Sequence, residues 1–249
     1  MMTLIDKIKL LFIVSRPLSW IIAPAIWVSG LAQSGTNIQA IPAILYVVAL
    51  SFPTCLGMIF VYNWLLILIL GWITHRAVTF GVNDVYDHDS DAQNIRKKSH
   101  WADGTVLKHG NHRFILLSAR ISTILVILLA LPASLQSLEV LGCTLSFLSM
   151  TWIYSSPPLR LKERPIWDSV SNGIICWIFW ICGYTFSDER VISIEVLASK
   201  NGWFVLLYAS ALHSLAALLD APADSSAQYR TIATVLGERF TAAFSMVSL

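Results

Sequence analysis

Charged residues are scarce in this sequence. Only 13% of its 249 residues are charged, whereas about a quarter are charged in an average soluble domain. Apolar residues make up 56% of the chain and the mean hydropathy is +0.66. Several apolar runs reach or approach the roughly 20 residues that cross a bilayer. The composition excludes an ordinary soluble domain and predicts a polytopic membrane protein.

Cysteine is also scarce. The four cysteines lie inside apolar runs without the spacing of metal ligands, which argues against a disulfide framework or a zinc site. They are Cys55, Cys143, Cys176 and Cys182. The formal net charge is only +2, and no nucleic-acid partner is predicted. The first residues do not show the pattern of a cleavable signal peptide, because the apolar segment after Arg16 is too long and has no small-residue cleavage site.

The apolar runs predict a single membrane domain over residues 1–249, with about six complete spans and a partial seventh. The complete spans are predicted at 18–33, within 40–81, and at 114–131, 138–153, 169–186 and 202–219, and the partial span starts at Phe240. The region 40–81 is too long for one straight crossing and barely long enough for two. One long crossing kinked at Pro53, with room for a re-entrant piece, is the preferred alternative.

The basic residues support this layout. Four segments are placed on one side of the membrane: 1–17, 76–120, 154–168 and 220–239. That side then carries every basic residue except Arg190 and Lys200. Because short cytoplasmic loops are rich in Lys and Arg, this side is predicted to be cytoplasmic and to hold the N-terminus. Because residues 1–17 and 76–120 are placed on the same side and one span lies at 18–33, the number of crossings between residues 40 and 81 must be odd.

The first candidate site is the polar stretch 83–98, at the end of an apolar run. On a helix, Asp84, Asp87 and Asp91 fall at i, i+3 and i+7 and share one face. Like charges at this spacing repel unless a cation lies between them, and Mg²⁺ prefers carboxylate, water and phosphate oxygens. A solvated acidic helix end explains this stretch, taken alone, equally well.

A second acidic pair and a basic loop are predicted to reach the same membrane face. Asp220 and Asp224 stand at i and i+4 at the end of a span, where ionisable residues are functional candidates. Two helix pairs separate Asp91 from Asp220, so both acidic clusters emerge on the cytoplasmic side and can hold Mg²⁺ ions and a diphosphate between them. The loop 154–162 supplies cationic donors for phosphate oxygens. A loop whose basic residues only anchor it on the cytoplasmic side would explain those charges. It would not explain the two acidic clusters that face each other.

Three motifs follow one another along the chain: Asn83-Asp84-x-x-Asp87-x-x-x-Asp91, Tyr154-Ser-x-Pro-Pro-x-Arg160-x-Lys162, and Asp220-x-x-x-Asp224 followed by Arg230-Thr-Ile-Ala-Thr-Val-Leu-Gly237. In this order and spacing they resemble the UbiA superfamily of intramembrane prenyltransferases. Within it, Ser15-Arg16-Pro17, Asp168-Ser-Val-Ser-Asn172-Gly and Gly237-Glu238-Arg239 are most similar to the lycopene-elongase branch. The resemblance covers about residues 15–241.

The resemblance implies an all-α bundle around a cavity that is open to lipid, with Mg²⁺ as cofactor, an allylic prenyl diphosphate as donor and a lipid-soluble acceptor. The residues implied to hold metal and diphosphate are Asn83, Asp84, Asp87, Asp91, Asp220 and Asp224. Those implied to contact the substrates are Asn83, Arg96, Lys97, Tyr154, Arg160 and Lys162. Asn172 is a further substrate-binding candidate, predicted at the acceptor end because it faces the same way as Asp168 on a helix. Catalytic roles are implied for Asp84, Asp87, Asp220 and Tyr154, the last near the reacting carbon. In such a site, metal and basic residues would stabilise the departing diphosphate, and the apolar cavity would keep water from the carbocation.

Several features depart from the family pattern. Pro222 and Ser225 stand where many relatives carry an acidic and a basic residue, and Pro222 predicts an early end of its helix. The resemblance also implies a bundle of nine spans, and such a bundle would need spans beyond Leu249. Three alternatives therefore stay open: a terpene cyclase on the same scaffold, a truncated inactive homologue, and a cation transporter, although transporters usually place carboxylates near the bilayer midplane. Five of the six histidines are predicted to lack metal-ligand or triad partners: His75, His100, His109, His112 and His213. The donor length, the acceptor and the oligomeric state are not predicted.

Overall fold

A computed structural model describes residues 2–14, 16, 22–35, 80–95, 97, 105–134, 138–185 and 192–249. Throughout these ranges the regular structure is helical, which confirms the all-α class. The predicted crossing within 40–81 lies outside the described residues, apart from positions 80 and 81.

The described helices are, in chain order, α1 (Leu4–Val14), α2 (Ile22–Gln33), α3 (Val82–Tyr86), α4 (His88–Asp91), α5 (His109–Ser134), α6 (Leu138–Ser155), α7 (Trp167–Tyr184), α8 (Ile194–Leu197), α9 (Lys200–Ser226) and α10 (Ile232–Ser248). A 3₁₀ turn at Leu161–Glu163 lies between α6 and α7. Helices α2, α5, α6, α7 and α9 coincide with predicted spans. Helix α6 ends at Ser155, just before the cis Pro157–Pro158 bond, as the proline pair predicts.

The C-terminal part of the chain is more helical than the sequence predicts. Helix α9 continues through Pro222 to Ser226, so the predicted early end is wrong. Membrane helices tolerate proline because neighbouring groups can satisfy the backbone groups that it frees. The partial span predicted to start at Phe240 is also preceded by helix, because α10 already begins at Ile232; it is kinked at Gly237, where the backbone is non-helical. Thr231 caps this helix, and its side chain accepts a hydrogen bond from the Thr234 N–H.

Helix α7 is the centre of the bundle, packed against α2, α6 and α9. Glycines permit the close approach: a methyl group at Gly30 of α2 would overlap the carbonyl of Trp180, and one at Gly183 of α7 would overlap that of Trp27. Gly173 similarly faces the backbone of Leu206 in α9. Small residues at helix crossings are the usual means by which membrane helices pack closely.

The bundle has a buried apolar core and an exposed apolar outer surface. Phe147, Phe179 and Trp180 belong to a buried hydrophobic cluster that involves the middle of α6 and the second half of α7. On the outside, α5 exposes Leu117, Ile121, Ile124 and Leu128. These residues recur every three or four positions, so they form one stripe suited to contact with lipid. Among the described residues, His109–Leu128 and Ile194–Ser226 are long and apolar enough to cross a membrane, judged by length and composition.

Candidate active site

A cavity of about 420 Å³ opens between α3, α4, α6, α7 and α9. Nine of the predicted site residues line it: Asn83, Asp87, Asp91, Lys97, Tyr154, Lys162, Asn172, Asp220 and Asp224. Asp84 and Arg160 lie just behind this lining and contact its residues. Arg96 is outside the described residues. The structure thus brings together the residues that the three sequence motifs contribute.

The first acidic motif keeps a common face although its helix is interrupted. Helices α3 and α4 are separated at Asp87, but the Asp87 N–H still donates to the Asn83 carbonyl at 2.8 Å. The Asp91 N–H donates to the Asp87 carbonyl at the same distance. Because helical hydrogen bonding continues across the interruption, the carboxylates of this motif stay on the side that faces the second motif.

Two hydrogen bonds join the acidic motifs directly. The Asn94 side-chain amide donates to Asp220 Oδ1 at 2.6 Å, and Ser90 Oγ donates to Asp224 Oδ1 at 2.5 Å. Both bonds link positions more than a hundred residues apart in sequence. Neither Ser90 nor Asn94 was among the predicted site residues, and only their position beside the acidic residues of the first motif could have singled them out.

Asp84 lies at the centre of a buried ion-pair network. Its side chain is fully buried, and its Oδ1 is 2.5 Å from Arg16 Nη2 and 3.2 Å from Lys97 Nζ. Lys97 Nζ is also 3.1 Å from Asp91 Oδ2. Burial raises the pKa of Asp91 to about 6, while the Lys97 cation opposes the rise. The prediction missed Arg16 as a site residue, although Ser15-Arg16-Pro17 places a cation directly after α1.

The basic loop approaches the first acidic motif from the opposite wall. Lys162 Nζ contacts Asp87 Oδ1, and Arg160 Nη2 lies 3.8 Å from the same oxygen. Arg160 also donates to the Tyr86 carbonyl at 2.6 Å and covers the Tyr229 ring at 4.8 Å from its centroid. Burial lowers the pKa of Lys162 to about 7. The loop therefore holds two cations against one carboxylate at the mouth of the cavity.

Tyr154 is positioned by a histidine. Its hydroxyl lies 2.6 Å from His213 Nε2, and His213 Nδ1 lies 3.2 Å from Ser169 Oγ. His213 comes from α9 and Ser169 from α7, so the three side chains join three helices beneath the acidic clusters. These two hydrogen bonds of His213 were not predicted, since the sequence indicated only that it has no metal-ligand or triad partner. A lone histidine on an apolar helix gave no sequence signal for this contact.

Asp168 has a structural role beside the cavity. Its two carboxylate oxygens accept hydrogen bonds from the N–H groups of Ser169 at 2.9 Å and Ile232 at 2.6 Å. Because Ile232 is the first residue of α10, this buried carboxylate attaches the start of α10 to α7.

The site fits a hard divalent cation. Five carboxylates line the cavity, from Asp87, Asp91, Glu163, Asp220 and Asp224, against the three cationic side chains of Arg16, Lys97 and Lys162. Asp84 Oδ2 is buried and receives no hydrogen bond from the described part of the chain. Buried carboxylate oxygens normally have partners, and an excess of oxygen ligands is what Mg²⁺ prefers.

The UbiA prenyltransferase family matches residues 42–249 of this chain. This chain belongs to the UbiA prenyltransferase family. It is therefore an integral membrane protein of the prenyltransferase type, and the family resemblance inferred from the three motifs is confirmed.

The relatives of this UbiA family member are named for carotenoid chemistry. A lycopene elongase/hydratase from Corynebacterium glutamicum is 30% identical over 253 residues, which cover 98% of this chain and 75% of the relative. A lycopene elongase/hydratase from Haloarcula japonica is 30% identical over 169 residues, which cover 68% of this chain and 53% of that protein. The C(50) beta-cyclic carotenoids biosynthesis protein LbtBC from Dietzia sp. is 27% identical over 95% of this chain and 48% of its own length.

Solved structures of a UbiA homolog from Archaeoglobus fulgidus share the fold. The complex with DMAPP and Mg²⁺ gives a TM-score of 0.67 at 16% identity, covering 96% of this chain and 75% of the homolog. The complex with GPP and Mg²⁺ gives 0.65 at 16% identity, covering 96% and 73%. At this identity the likeness establishes the all-helical UbiA architecture.

Proposed function

We propose that this protein transfers a prenyl group from an allylic prenyl diphosphate to a lipid-soluble acceptor within the membrane, with Mg²⁺ as cofactor. The observation that carries the proposal is the pairing of Asn94 with Asp220 and of Ser90 with Asp224. These bonds hold two acidic motifs against one cavity, and basic residues approach the same cavity. A diphosphate with its cations needs both kinds of group at one place.

The acidic residues would hold the metal. Asn83, Asp84, Asp87, Asp91, Asp220 and Asp224 supply oxygen atoms in or directly behind the cavity wall. When bound, Mg²⁺ would neutralise negative charge on the diphosphate as the allylic C–O bond breaks. Arg16, Lys97 and Lys162 have cationic groups among these carboxylates, from which they would bind phosphate oxygens and orient the donor.

The deeper part of the cavity would hold the prenyl chain and the acceptor. Ile175, Ala216 and Ala217 give the cavity apolar lining, and Tyr154 lines the same cavity as the acidic motifs. Diphosphate would leave with the electron pair of the C–O bond, an acceptor double bond would attack the allylic cation, and the resulting cation would lose a proton. Exclusion of water by the apolar walls would protect both cations.

An acyclic carotenoid is the acceptor that we propose to test first. The support is the name lycopene elongase/hydratase carried by the relatives from Corynebacterium glutamicum and Haloarcula japonica. Dimethylallyl diphosphate is the matching first donor, because a UbiA homolog of the same fold is described as bound to DMAPP. We further propose that the N-terminus and both acidic motifs lie on the cytoplasmic side.

The experiment uses membranes that contain the full chain. Radiolabelled dimethylallyl diphosphate and lycopene are supplied with Mg²⁺, and label in the carotenoid fraction is measured beside released diphosphate. We expect Mg²⁺-dependent labelling that is lost on chelation and in Asp84→Asn and Asp220→Asn. Asp89→Asn is the matched control, because Asp89 is an exposed carboxylate within α4 that does not line the cavity, so this variant should retain activity.

A cyclase and an inactive homologue would give different results. A cyclic hydrocarbon formed from geranylgeranyl diphosphate without acceptor would replace the transferase proposal by the cyclase. If the wild-type protein released no diphosphate from donors of any length tested, the chain would be an inactive homologue.

A further inference from the structure

Three histidines form a cluster outside the cavity. His88 belongs to α4, and His109 and His112 belong to the first turn of α5. One potential ligand nitrogen from each lies within 4.8 Å of the other two. The ring centroids are 4.0 Å apart for His88 and His109, 5.0 Å for His109 and His112, and 5.2 Å for His88 and His112. In the described part of the chain, these rings do not line the cavity that holds the acidic motifs.

The hydrogen bonding of the cluster leaves ring nitrogens available. The imidazole of His112 hydrogen-bonds the backbone of Leu107. His112 Nε2 is buried and has no hydrogen-bond partner among the described residues. His88 Nδ1 is likewise buried without a partner there. A backbone carbonyl that holds the other ring nitrogen is the usual support of a metal-ligating histidine.

We propose that His88, His109 and His112 bind a late first-row divalent metal ion, with Zn²⁺ as the ion of choice. Imidazole nitrogen suits such ions, whereas Mg²⁺ prefers oxygen, so this site and the acidic cavity select different metals. Three nitrogens about 2.1 Å from one zinc ion in tetrahedral geometry lie about 3.4 Å apart. The ligand nitrogens lie within 4.8 Å of one another, so binding needs at most a small inward movement of the rings. Water would take the fourth position.

The ion would stabilise the first acidic motif from outside the cavity. His88 directly follows Asp87, and α4 ends at Asp91. A metal ion bound by His88 and by two residues of α5 would fix α4 to the start of α5, across the connection that runs from residue 92 to 108. The role is structural, and it depends on these three side chains rather than on the proposed function.

Zinc binding is tested with full-length protein in detergent, purified through a tag without histidine and freed of metal by chelation. Zn²⁺ is titrated calorimetrically in the presence of millimolar Mg²⁺, and thermal unfolding is followed with and without Zn²⁺. We expect one Zn²⁺ per chain, a rise in Tm, and a visible absorption spectrum of tetrahedral Co²⁺ when Co²⁺ replaces Zn²⁺. His109→Asn should weaken Zn²⁺ binding by at least the roughly 10- to 100-fold that even an outer-shell change costs. It should also remove the Tm gain.

Two matched variants separate this site from its surroundings. Lys108→Asn changes an exposed residue next to His109 and should leave zinc affinity unchanged. Asp84→Asn changes the acidic cavity and should also retain the bound zinc. The proposal is overturned if the wild-type protein binds no stoichiometric Zn²⁺, or if His109→Asn binds it as tightly as wild type. Loss of zinc binding in Asp84→Asn would equally overturn it, by locating the zinc in the acidic cavity.

Discussion

Asn94 determines how the second acidic motif meets the first. Its amide donates to Asp220 Oδ1 at 2.6 Å, and the side chain is buried. A hydrogen bond to a charged group contributes about 1.5–3 kcal/mol. We therefore expect Asn94→Ala to raise the Kd for a prenyl diphosphate by about 10- to 100-fold. Binding of labelled geranyl diphosphate with Mg²⁺ measures this change. Ile95→Ala is the control, because Ile95 is 81% exposed; equal affinity in both variants would contradict the expectation.

Tyr154 should affect turnover rather than donor binding. Its hydroxyl bonds His213 below the acidic clusters, not a carboxylate of either motif. Tyr154→Phe leaves the ring in place and removes that bond, so the group nearest the proposed reacting carbon loses its orientation. We expect kcat to fall by about 100-fold, the effect of a misplaced catalytic group, while the Kd for the donor stays near the wild-type value. Steady-state kinetics beside direct binding separates the two effects.

The control for that variant is Tyr208→Phe, which removes a hydroxyl from a tyrosine on α9 that is 44% exposed. It should match the wild-type protein in both measurements. A Tyr154→Phe enzyme that lost donor affinity but kept its turnover would place Tyr154 at the diphosphate instead.

Residue spacing predicts the acidic groups better than the neutral ones. Asp84, Asp87 and Asp91 stand out because like charges at helical spacing need a cation, and Asp220 and Asp224 repeat that pattern. Ser90 and Asn94 give no comparable signal, since neutral side chains of these types occur on any polar helix end, and His213 gives none because it is a lone histidine on an apolar helix. Their partners are fixed only when helices distant in sequence pack together, and a single sequence does not contain that information.

At the scale of helices, the close contact between α2 and α7 depends on Gly30 and Gly183. A methyl group on Gly183 would overlap the Trp27 carbonyl, which cannot move without moving its helix. We expect Gly183→Ala to destabilise the protein by about 1–3 kcal/mol, the typical cost of overpacking. The thermal midpoint in detergent should fall accordingly.

Gly142 provides a matched comparison for this contact. It also lies inside a helix, α6, but a methyl group there meets open space in the described part of the chain. Gly142→Ala should be neutral, or stabilising by up to about 1 kcal/mol through helix propensity. If both alanine variants had the same midpoint, the Gly183 contact would not limit stability.

The ends of the helices show where local rules are insufficient. The proline pair after Ser155 predicts the end of α6 correctly, because the chain there turns into a loop and nothing opposes the break. The same local rule predicts that the helix ends near Pro222, yet α9 continues for another turn, to Ser226. That turn contains the buried Asp224, which bonds Ser90 of α4, so a contact between helices favours the helical conformation beyond the proline.

For the whole molecule, the arrangement predicts that both acidic motifs open to one membrane face. We expect α6 to cross toward the membrane face that holds the cavity, α7 to cross away from it and α9 to return. The start of α6 and the end of α9 should therefore be on opposite sides. Leu138, 77% exposed, marks the first position, and the exposed Ser225 marks the second. Cysteine introduced at each position, in a chain whose native cysteines are replaced by alanine, reports its side through a membrane-impermeant maleimide.

We expect Ser225→Cys to react in inside-out vesicles and to be protected in right-side-out vesicles, and Leu138→Cys to show the reverse. The physical reason is the bias of basic residues toward the loops beside the acidic motifs, which retains those loops in the cytoplasm. Prenyl diphosphates carry charges that do not cross a bilayer unaided, so a cytoplasmic cavity mouth is also what a cytoplasmic donor requires. Labelling of both positions from the same side would contradict the three successive crossings by α6, α7 and α9 and, with them, the proposed meeting of the acidic motifs at the cytoplasmic face.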